Sequence, residues 1–332
     1  MPSLKRLLSL LAAVVFTSAA LAFALREADF ARLWHTLGSG RHWVLLPFLA
    51  LLTLFYLSNA ARWRLLLRPF GDFGIRRLLP SMSIGFAANN LLPFRVGELI
   101  RVYLSARDLG QARSGLLMTL VLERMLDLSA ILGIYAVALA MLPQAPALMR
   151  TGMWVAALAI AGIGIGLLTF AISPRRVNRL WCMIAAGMPE SAQARGEAYL
   201  AQLARALTPL LVPSSLSMLA AQSVGRWLLA AGLAWLSLYA YGDAIAPELA
   251  MVVIGVTALA VSLPSVPGFV GPIQAAFVFA LTPFGIARET ALAASILFLL
   301  GHWVPVTLAG ALMLASRHES LRRLGREASA SE

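Results

Sequence analysis

The sequence has little charge, a single lysine and a single cysteine. Of its 332 residues only 13% are charged and 60% are hydrophobic, whereas an ordinary soluble domain has roughly 25% charged residues. This composition excludes a soluble globular protein, and its hydrophobicity also excludes a disordered chain. The lone cysteine, Cys182, excludes a scaffold held by disulfide bonds. A protein that crosses a membrane several times is the class that remains.

The sequence also lacks the motifs of several enzyme classes. It has no glycine-rich phosphate loop ending in Lys-Ser or Lys-Thr, no His-Glu-x-x-His pair, no paired cysteines and no Gly-x-Ser-x-Gly elbow. We therefore predict no ATP hydrolysis, no catalytic residues, no cofactor and no metal, and we expect the chain not to be an enzyme.

The charged residues that are present are mostly basic. The net charge is +12, and arginine supplies 26 of the 27 basic side chains. Clustered arginines bind the phosphates of anionic lipids as well as those of nucleic acids. Because there is no basic soluble domain, we expect membrane lipids as partners and no nucleic acid.

Six apolar segments are long enough to span a bilayer, since a hydrocarbon layer of about 30 Å takes roughly 20 apolar helical residues. The predicted spans are Leu7–Leu25, Trp43–Ala61, Leu116–Leu142, Thr151–Ser173, Leu216–Tyr241 and Ala291–Ser316. The first resembles a signal peptide, because Lys5 and Arg6 precede it and Ala22-Phe23-Ala24 resembles a cleavage site. Its apolar run exceeds the ~7–15 residues of such peptides, which favours a retained span.

Two further apolar stretches, Leu78–Phe94 and Leu249–Phe284, are interrupted by proline, glycine or asparagine. A full crossing by the first would move the arginines of residues 95–113 and 174–209 outside, whereas a segment that enters and returns keeps them inside with Arg62 and its neighbours. We therefore predict an all-α polytopic membrane protein with about six full spans and two oppositely oriented re-entrant (broken) helical segments. Broken backbone survives at membrane depth only beside protein or a water-filled cavity, so a cavity is predicted there.

The two broken segments share a local pattern at a constant offset of 171 residues. Leu92-Pro93 is followed by Gly97, and Leu263-Pro264 is followed by Gly268. The predicted helix breaks are Pro93, Gly97, Pro264, Pro267, Gly268 and Gly271. Broken segments at matching positions of inverted repeats are typical of transporter substrate sites, although proline and glycine are also common in membrane helices.

These patterns predict one integral membrane domain over residues 1–332. Its first repeat covers about 43–173 and its second about 210–316. A basic cytoplasmic loop, 174–209, separates them, and a basic cytoplasmic tail, 317–332, follows.

Arg95, Glu98 and Arg101 recur every third residue after the first break and so share one face of a helix. Two guanidinium groups held by one carboxylate match a phosphate group, which makes the three residues a candidate site for a lipid head group. The alternative is a stripe of interfacial salt bridges.

Charged residues also occur within predicted spans. Glu123 and Asp127 lie four residues apart on one helical face with Arg124 beside them, and Arg226 lies in another span as a candidate partner. Ionisable groups at this depth cost at least ~2.5 kcal/mol each and are usually functional or paired. These charges form either a substrate-binding cluster or an ion-pair network that only holds the helices together, and the sequence does not decide between the two.

Three polar residues flank the breaks. Asn89, Asn90 and Gln274 can bind free backbone groups at the helix ends or face the cavity. His302 is alone in an apolar span, which is more typical of a helix contact than of a ligand.

Three blocks of this sequence together resemble the flippase-like membrane domain of lysylphosphatidylglycerol synthases. The blocks are Asn90-Leu91-Leu92-Pro93-Phe94-Arg95-Val96-Gly97-Glu98-Leu99-Ile100-Arg101, Glu123-Arg124-x-x-Asp127 and Pro267-Gly268-x-x-Gly271. The resemblance implies an integral domain that moves or presents lipids between leaflets. It does not imply aminoacyl transfer, which in that family belongs to a soluble C-terminal domain.

The second break adds two details to this resemblance. The sequence Pro267-Gly268-Phe269-Val270-Gly271-Pro272 is similar to stand-alone members associated with hopanoid lipids. Gln274 departs from a Glu that many relatives carry, which puts a titrating carboxylate there in doubt.

The function that these observations favour is lipid transport. We expect a bacterial inner-membrane protein with both termini in the cytoplasm that moves an anionic phospholipid, hopanoid or polyprenyl lipid between leaflets. One alternative is a scaffold that docks lipid-synthesis enzymes on the loop 174–209, and a less favoured one is an intramembrane transferase. Further candidate partners are a second copy of the chain and lipid-synthesis enzymes.

Overall fold

The computed structural model describes residues 4–242, 245–263 and 266–317. Within these ranges the chain contains thirteen α-helices, short 3-10 turns and no β-strand. The helices are α1 (Leu4–Leu25), α2 (Phe30–Gly38), α3 (Leu45–Leu67), α4 (Ile75–Leu91), α5 (Val96–Leu109), α6 (Arg113–Met141), α7 (Ala147–Ile172), α8 (Pro174–Ala185), α9 (Glu190–Leu207), α10 (Pro213–Tyr239), α11 (Pro247–Ala260), α12 (Pro272–Leu281) and α13 (Arg288–Ser316). The predicted all-α membrane fold is confirmed.

Five helical segments of the described chain are long and apolar enough to cross a membrane, and two bent helix pairs raise the number to seven. The six predicted spans correspond to α1, α3, α6, α7, α10 and α13. The seventh segment, Pro267–Phe284, contains α12 and belongs to the second interrupted stretch. The loop 174–209 folds as α8 and α9, which pack on each other, and α9 also packs on α6.

The first interrupted stretch folds as a helical hairpin. Its two arms, α4 and α5, run antiparallel, because Ser81 bonds Ser105 at 2.8 Å near the base while Asn89 lies against Gly97 near the tip. The arms approach closely because Gly85 and Gly97 meet without side chains between them. In the second interrupted stretch, α11 and α12 are joined through the turn at Pro267–Phe269 and pack on each other as a second hairpin.

The two hairpins enter from opposite ends of α13. Arg317, at the end of α13, binds Asp108 at the base of the first hairpin with an N–O distance of 2.7 Å. The second hairpin instead ends just before α13 begins. Their tips meet halfway, where the indole of Trp303 donates to the carbonyl of Asn90 at 3.4 Å and lies against Gly268. The predicted opposite orientation of the two segments is confirmed.

The two tips have the same local backbone turn. Each begins with a proline, Pro93 or Pro267, and continues with two residues of positive φ. These residues are Phe94 (59°), Arg95 (53°), Gly268 (81°) and Phe269 (57°). The conformations therefore match at an offset of 174 residues. The sequence pattern at an offset of 171 pairs Pro93 with Pro264, which lies outside the described residues.

Candidate functional site

Charged side chains from four α-helices and from the turn before α5 converge beside the hairpin tips. Glu123 and Asp127 of α6 project from adjacent turns of one face, and both are almost completely buried. Arg62 of α3 binds both carboxylates, with an N–O distance of 3.1 Å to Glu123 and a hydrogen bond to Asp127. Arg226 of α10 donates to Asp127, and so does Trp227, at 3.2 Å. The predicted pairing of Arg226 with this cluster is present.

Arg62 was missed as a member of this cluster. Its place at the end of a span led us to put it among the cytoplasmic arginines, but only 1% of its surface is exposed. It lies three residues after Asn59, which is also buried, so both share one face of α3. A polar stripe within an apolar span was the available signal for an inward-facing residue. Arg64, by contrast, is exposed and pairs with Asp72.

Arg101 belongs to the buried cluster and not to an exposed fork with Arg95 and Glu98. Its guanidinium donates to Glu123 at 2.8 Å and stacks on the ring of Trp63 at 4.1 Å. Only 2% of its surface is exposed. The prediction of three side chains acting together on a phosphate is therefore wrong in its third member. The reason is that α5 begins at Val96 after a left-handed turn, so Arg95 does not continue the face of α5.

Three charged side chains separate the buried cluster from an open cavity. Arg124 lies 3.2 Å from Glu123, 3.6 Å from Asp127 and 3.8 Å from Glu98, yet 38% of its side chain remains exposed. Arg95 lies 3.6 Å from Glu98 with 32% of its side chain exposed. Arg95 also donates to the carbonyl of Val261 at 2.8 Å, which joins the two hairpin tips.

The cavity has a volume of about 270 Å³, and we call it the arginine cavity. Its charged wall consists of Arg95, Glu98, Arg124 and Arg226. Aromatic residues form most of the opposite walls, and these are Phe55, Tyr56, Phe86, Phe269, Phe298 and Trp303. A neighbouring cavity of about 200 Å³ lies directly between the tips and shares Asn89 and Arg95 with it. The structure therefore has cavities where the two segments break.

The site has an excess of positive charge. Five arginines, at 62, 95, 101, 124 and 226, meet three carboxylates, at 98, 123 and 127, which leaves two positive charges. Two further polar atoms on the cavity wall, Asn89 Oδ1 and Thr257 Oγ1, are buried and bond no described residue. A negatively charged ligand group complements the arginines of this wall, and a ligand group that donates a hydrogen bond complements Asn89 Oδ1.

The remaining predicted site residues hold the fold around the cavity. Asn90 donates to Thr307 at 3.0 Å and so fixes α4 to α13. Gln274 is buried and accepts from the backbone N–H of Gly271 at 2.7 Å, which caps α12. This bond needs an acceptor but no charge. His302 packs among the rings of Phe48, Phe55 and Phe298, as a helix contact does.

Within the described parts of the chain, no group of three or more His, Cys, Asp and Glu side chains is arranged to hold a metal ion.

A family model described as lysylphosphatidylglycerol synthase TM region matches residues 10–310. No curated protein matches the sequence. The matched range includes both hairpins and every charged residue of the site.

Proposed function

Because the chain belongs to the family of lysylphosphatidylglycerol synthase TM regions, we propose that it binds an anionic lipid by its phosphate and moves it between leaflets. The lipid's phosphate binds in the arginine cavity, and its hydrocarbon part stays among apolar side chains. The chain carries out no chemistry on the lipid. Without a nucleotide site, movement is passive or driven by an ion gradient.

The observation that carries this proposal is that Arg124 lines the cavity with 38% of its side chain exposed. Buried ionisable groups in membrane proteins are usually paired, because an uncompensated charge at this depth is costly. Here the buried carboxylates are already shared among Arg62, Arg101 and Arg226, and Arg124 is the partly exposed arginine of the cluster that also lines the cavity. A planar guanidinium with free N–H groups binds phosphate through two parallel hydrogen bonds.

The position of the cavity supports movement as well as binding. The arginine cavity lies where two hairpins from opposite ends of α13 meet, so each hairpin separates it from one face of the protein. Paired broken elements around a central site are the arrangement by which transporters expose one site to alternate sides. We place the protein in a bacterial inner membrane with both termini in the cytoplasm.

Lipid binding tests the head-group site directly. The purified protein is placed in nanodiscs of phosphatidylcholine, and the affinity for phosphatidic acid is measured for the wild type, Arg124→Gln and Arg32→Gln. Arg32 lies on α2 with 80% of its side chain exposed and is the matched control. We expect Arg124→Gln to weaken binding about tenfold, since a hydrogen bond to a charged group contributes roughly 1.5–3 kcal/mol. Unchanged affinity in Arg124→Gln would contradict the proposal.

A further inference from the structure

A further cavity lies beside the arginine cavity, and its walls are mostly apolar. This apolar groove has a volume of about 210 Å³ and lies between α3, α4 and α13. Its walls include Leu57, Leu79, Met82, Pro305, Val306 and Ala309. None of its lining residues is charged.

The groove opens toward the surface that the spanning helices present to lipid. Leu57 is 45% exposed, and Thr53 and Ala309 at the rim are also exposed. Pro305 lies within α13, where a proline lacks the N–H of an ordinary helical residue. An opening of this kind in the side of a helical bundle gives lateral access from the hydrocarbon layer.

Two aromatic rings line both the groove and the arginine cavity. Tyr56 and Phe86 line both spaces, and their ring centroids are 4.9 Å apart with the rings tilted by 63°. Tyr56 belongs to α3 and Phe86 to α4. The apolar groove and the positively charged cavity therefore adjoin at these two rings.

We infer that the groove holds one hydrocarbon chain of the lipid whose phosphate lies in the arginine cavity, with Tyr56 and Phe86 as the gate between them. This inference rests on the proposed function and specifies its substrate class, a lipid with a phosphate head group and at least one chain that remains in the bilayer. The charge on one side of the two rings and the apolar walls on the other match the two ends of such a molecule. The lipid enters sideways through the groove, and its head group passes the two rings into the cavity.

Two phosphate probes that differ only in the chain test this arrangement. Binding of glycerol 3-phosphate and of oleoyl lysophosphatidic acid is measured in phosphatidylcholine nanodiscs. Leu57→Trp fills the groove, and Leu54→Trp is its control, because Leu54 is exposed on the same helix but does not line the groove. We expect Leu57→Trp to weaken lysophosphatidic acid binding at least about tenfold and to change glycerol 3-phosphate binding less than about twofold. Leu54→Trp leaves both affinities unchanged.

Each outcome separates the groove from the head-group site. Unchanged lysophosphatidic acid binding in Leu57→Trp, or an equal loss for both probes, overturns the inference. Arg124→Gln weakens both probes if the head-group site is correct. If Arg124→Gln changes neither probe while Leu57→Trp weakens only the probe with a chain, the head-group site fails and the groove stands.

A measurement on the wild-type protein tests the inference without relying on the folding of any variant. Phosphatidic acid with a photoreactive diazirine in its acyl chain is incorporated in the nanodisc and irradiated. We expect labelled peptides that contain residues 52–57 and 79–86. Labelling confined to other lipid-facing helices overturns the inference.

Discussion

Single residues of the charged site fall into two groups that differ in exposure. Glu123, Asp127, Arg62 and Arg101 are almost completely buried and bind one another, whereas Arg124 reaches the cavity. Removing one member of a buried ion pair leaves an uncompensated charge and costs about 3–5 kcal/mol in stability. Loss of activity after a change at Glu123 or Asp127 therefore reports folding as well as function, and Arg124 is the better probe of the lipid.

The pairing of Arg226 with Asp127 predicts partial rescue. Asp127→Asn leaves Arg226 and Arg62 without one carboxylate, so its unfolding temperature in detergent falls well below that of the wild type. Adding Arg226→Met removes one of the uncompensated charges, and we expect the double variant to unfold at a higher temperature than Asp127→Asn alone, with a coupling of roughly 0.5–3 kcal/mol.

The exposed pair of Arg64 and Asp72 is the control for this rescue. Exposed salt bridges contribute roughly 0–1 kcal/mol, so Asp72→Asn changes the unfolding temperature little. Additive losses from Asp127→Asn and Arg226→Met would argue that these two side chains do not interact.

Sequence reasoning identified the charged residues of α6 and their partner on α10, but not the whole cluster. Glu123 and Asp127 could be predicted because charged residues inside an apolar span are costly and are therefore usually paired or functional. Hydropathy alone did not assign Arg62 and Arg101 to the cluster, although the polar stripe that Arg62 forms with Asn59 was a signal for the first. Their direction depends on how α3 and α5 rotate against α6, which only packing determines.

At the scale of elements, the first hairpin depends on contact between two glycines. A Cβ atom on Gly97 overlaps the carbonyl oxygen of Gly85 and the backbone of Asn89. Gly225 of α10 has no atom within 4 Å of the same position and provides the control. Gly97 and Gly225 both lie in helices, and they differ in the space that an added Cβ atom would have.

We predict that Gly97→Ala destabilises the protein by about 1–3 kcal/mol, as overpacking does, and lowers its unfolding temperature in detergent. Gly225→Ala leaves the temperature unchanged or raises it slightly, because alanine favours helix over glycine. A Gly97→Ala protein as stable as the wild type would show that the arms of the hairpin separate easily.

The two hairpins show which features of the elements the sequence predicts and which it does not. Proline and glycine placed both breaks, and the distribution of arginines predicted their opposite orientation. The sequence pattern paired Pro93 with Pro264, whereas the matching backbone of the described residues pairs Pro93 with Pro267, since positive φ follows both. A pattern of three residues carries no information on φ and so could not predict this match.

At the scale of the whole molecule, the proposed orientation puts α8 in the cytoplasm and α2 on the other side of the membrane. Cys182 of α8 is exposed and is the only cysteine, so it reports one side without mutation. A hydrogen bond to Glu197 raises the pKa of its thiol, which lowers the thiolate fraction at neutral pH. Maleimides react with the thiolate, so labelling becomes faster as the pH rises toward that pKa and is best measured at about pH 8.

An impermeant maleimide applied to spheroplasts is predicted to leave Cys182 unlabelled and to label it after permeabilisation. Ser39→Cys, in a Cys182→Ser background, is predicted to be labelled in both conditions, because Ser39 is exposed at the end of α2. The reverse pattern would invert the proposed orientation.

The most direct test of the central claim is transbilayer movement of lipid in proteoliposomes. A fluorescent phosphatidic acid is present in both leaflets, and an impermeant quencher reports how fast the inner pool becomes accessible. The account predicts that wild-type protein and Arg32→Gln accelerate this movement and that Arg124→Gln, folded to the same extent, does so at least about tenfold less. Equal movement with Arg124→Gln would contradict a path through the arginine cavity, and no movement with the wild type would contradict the transport of this lipid.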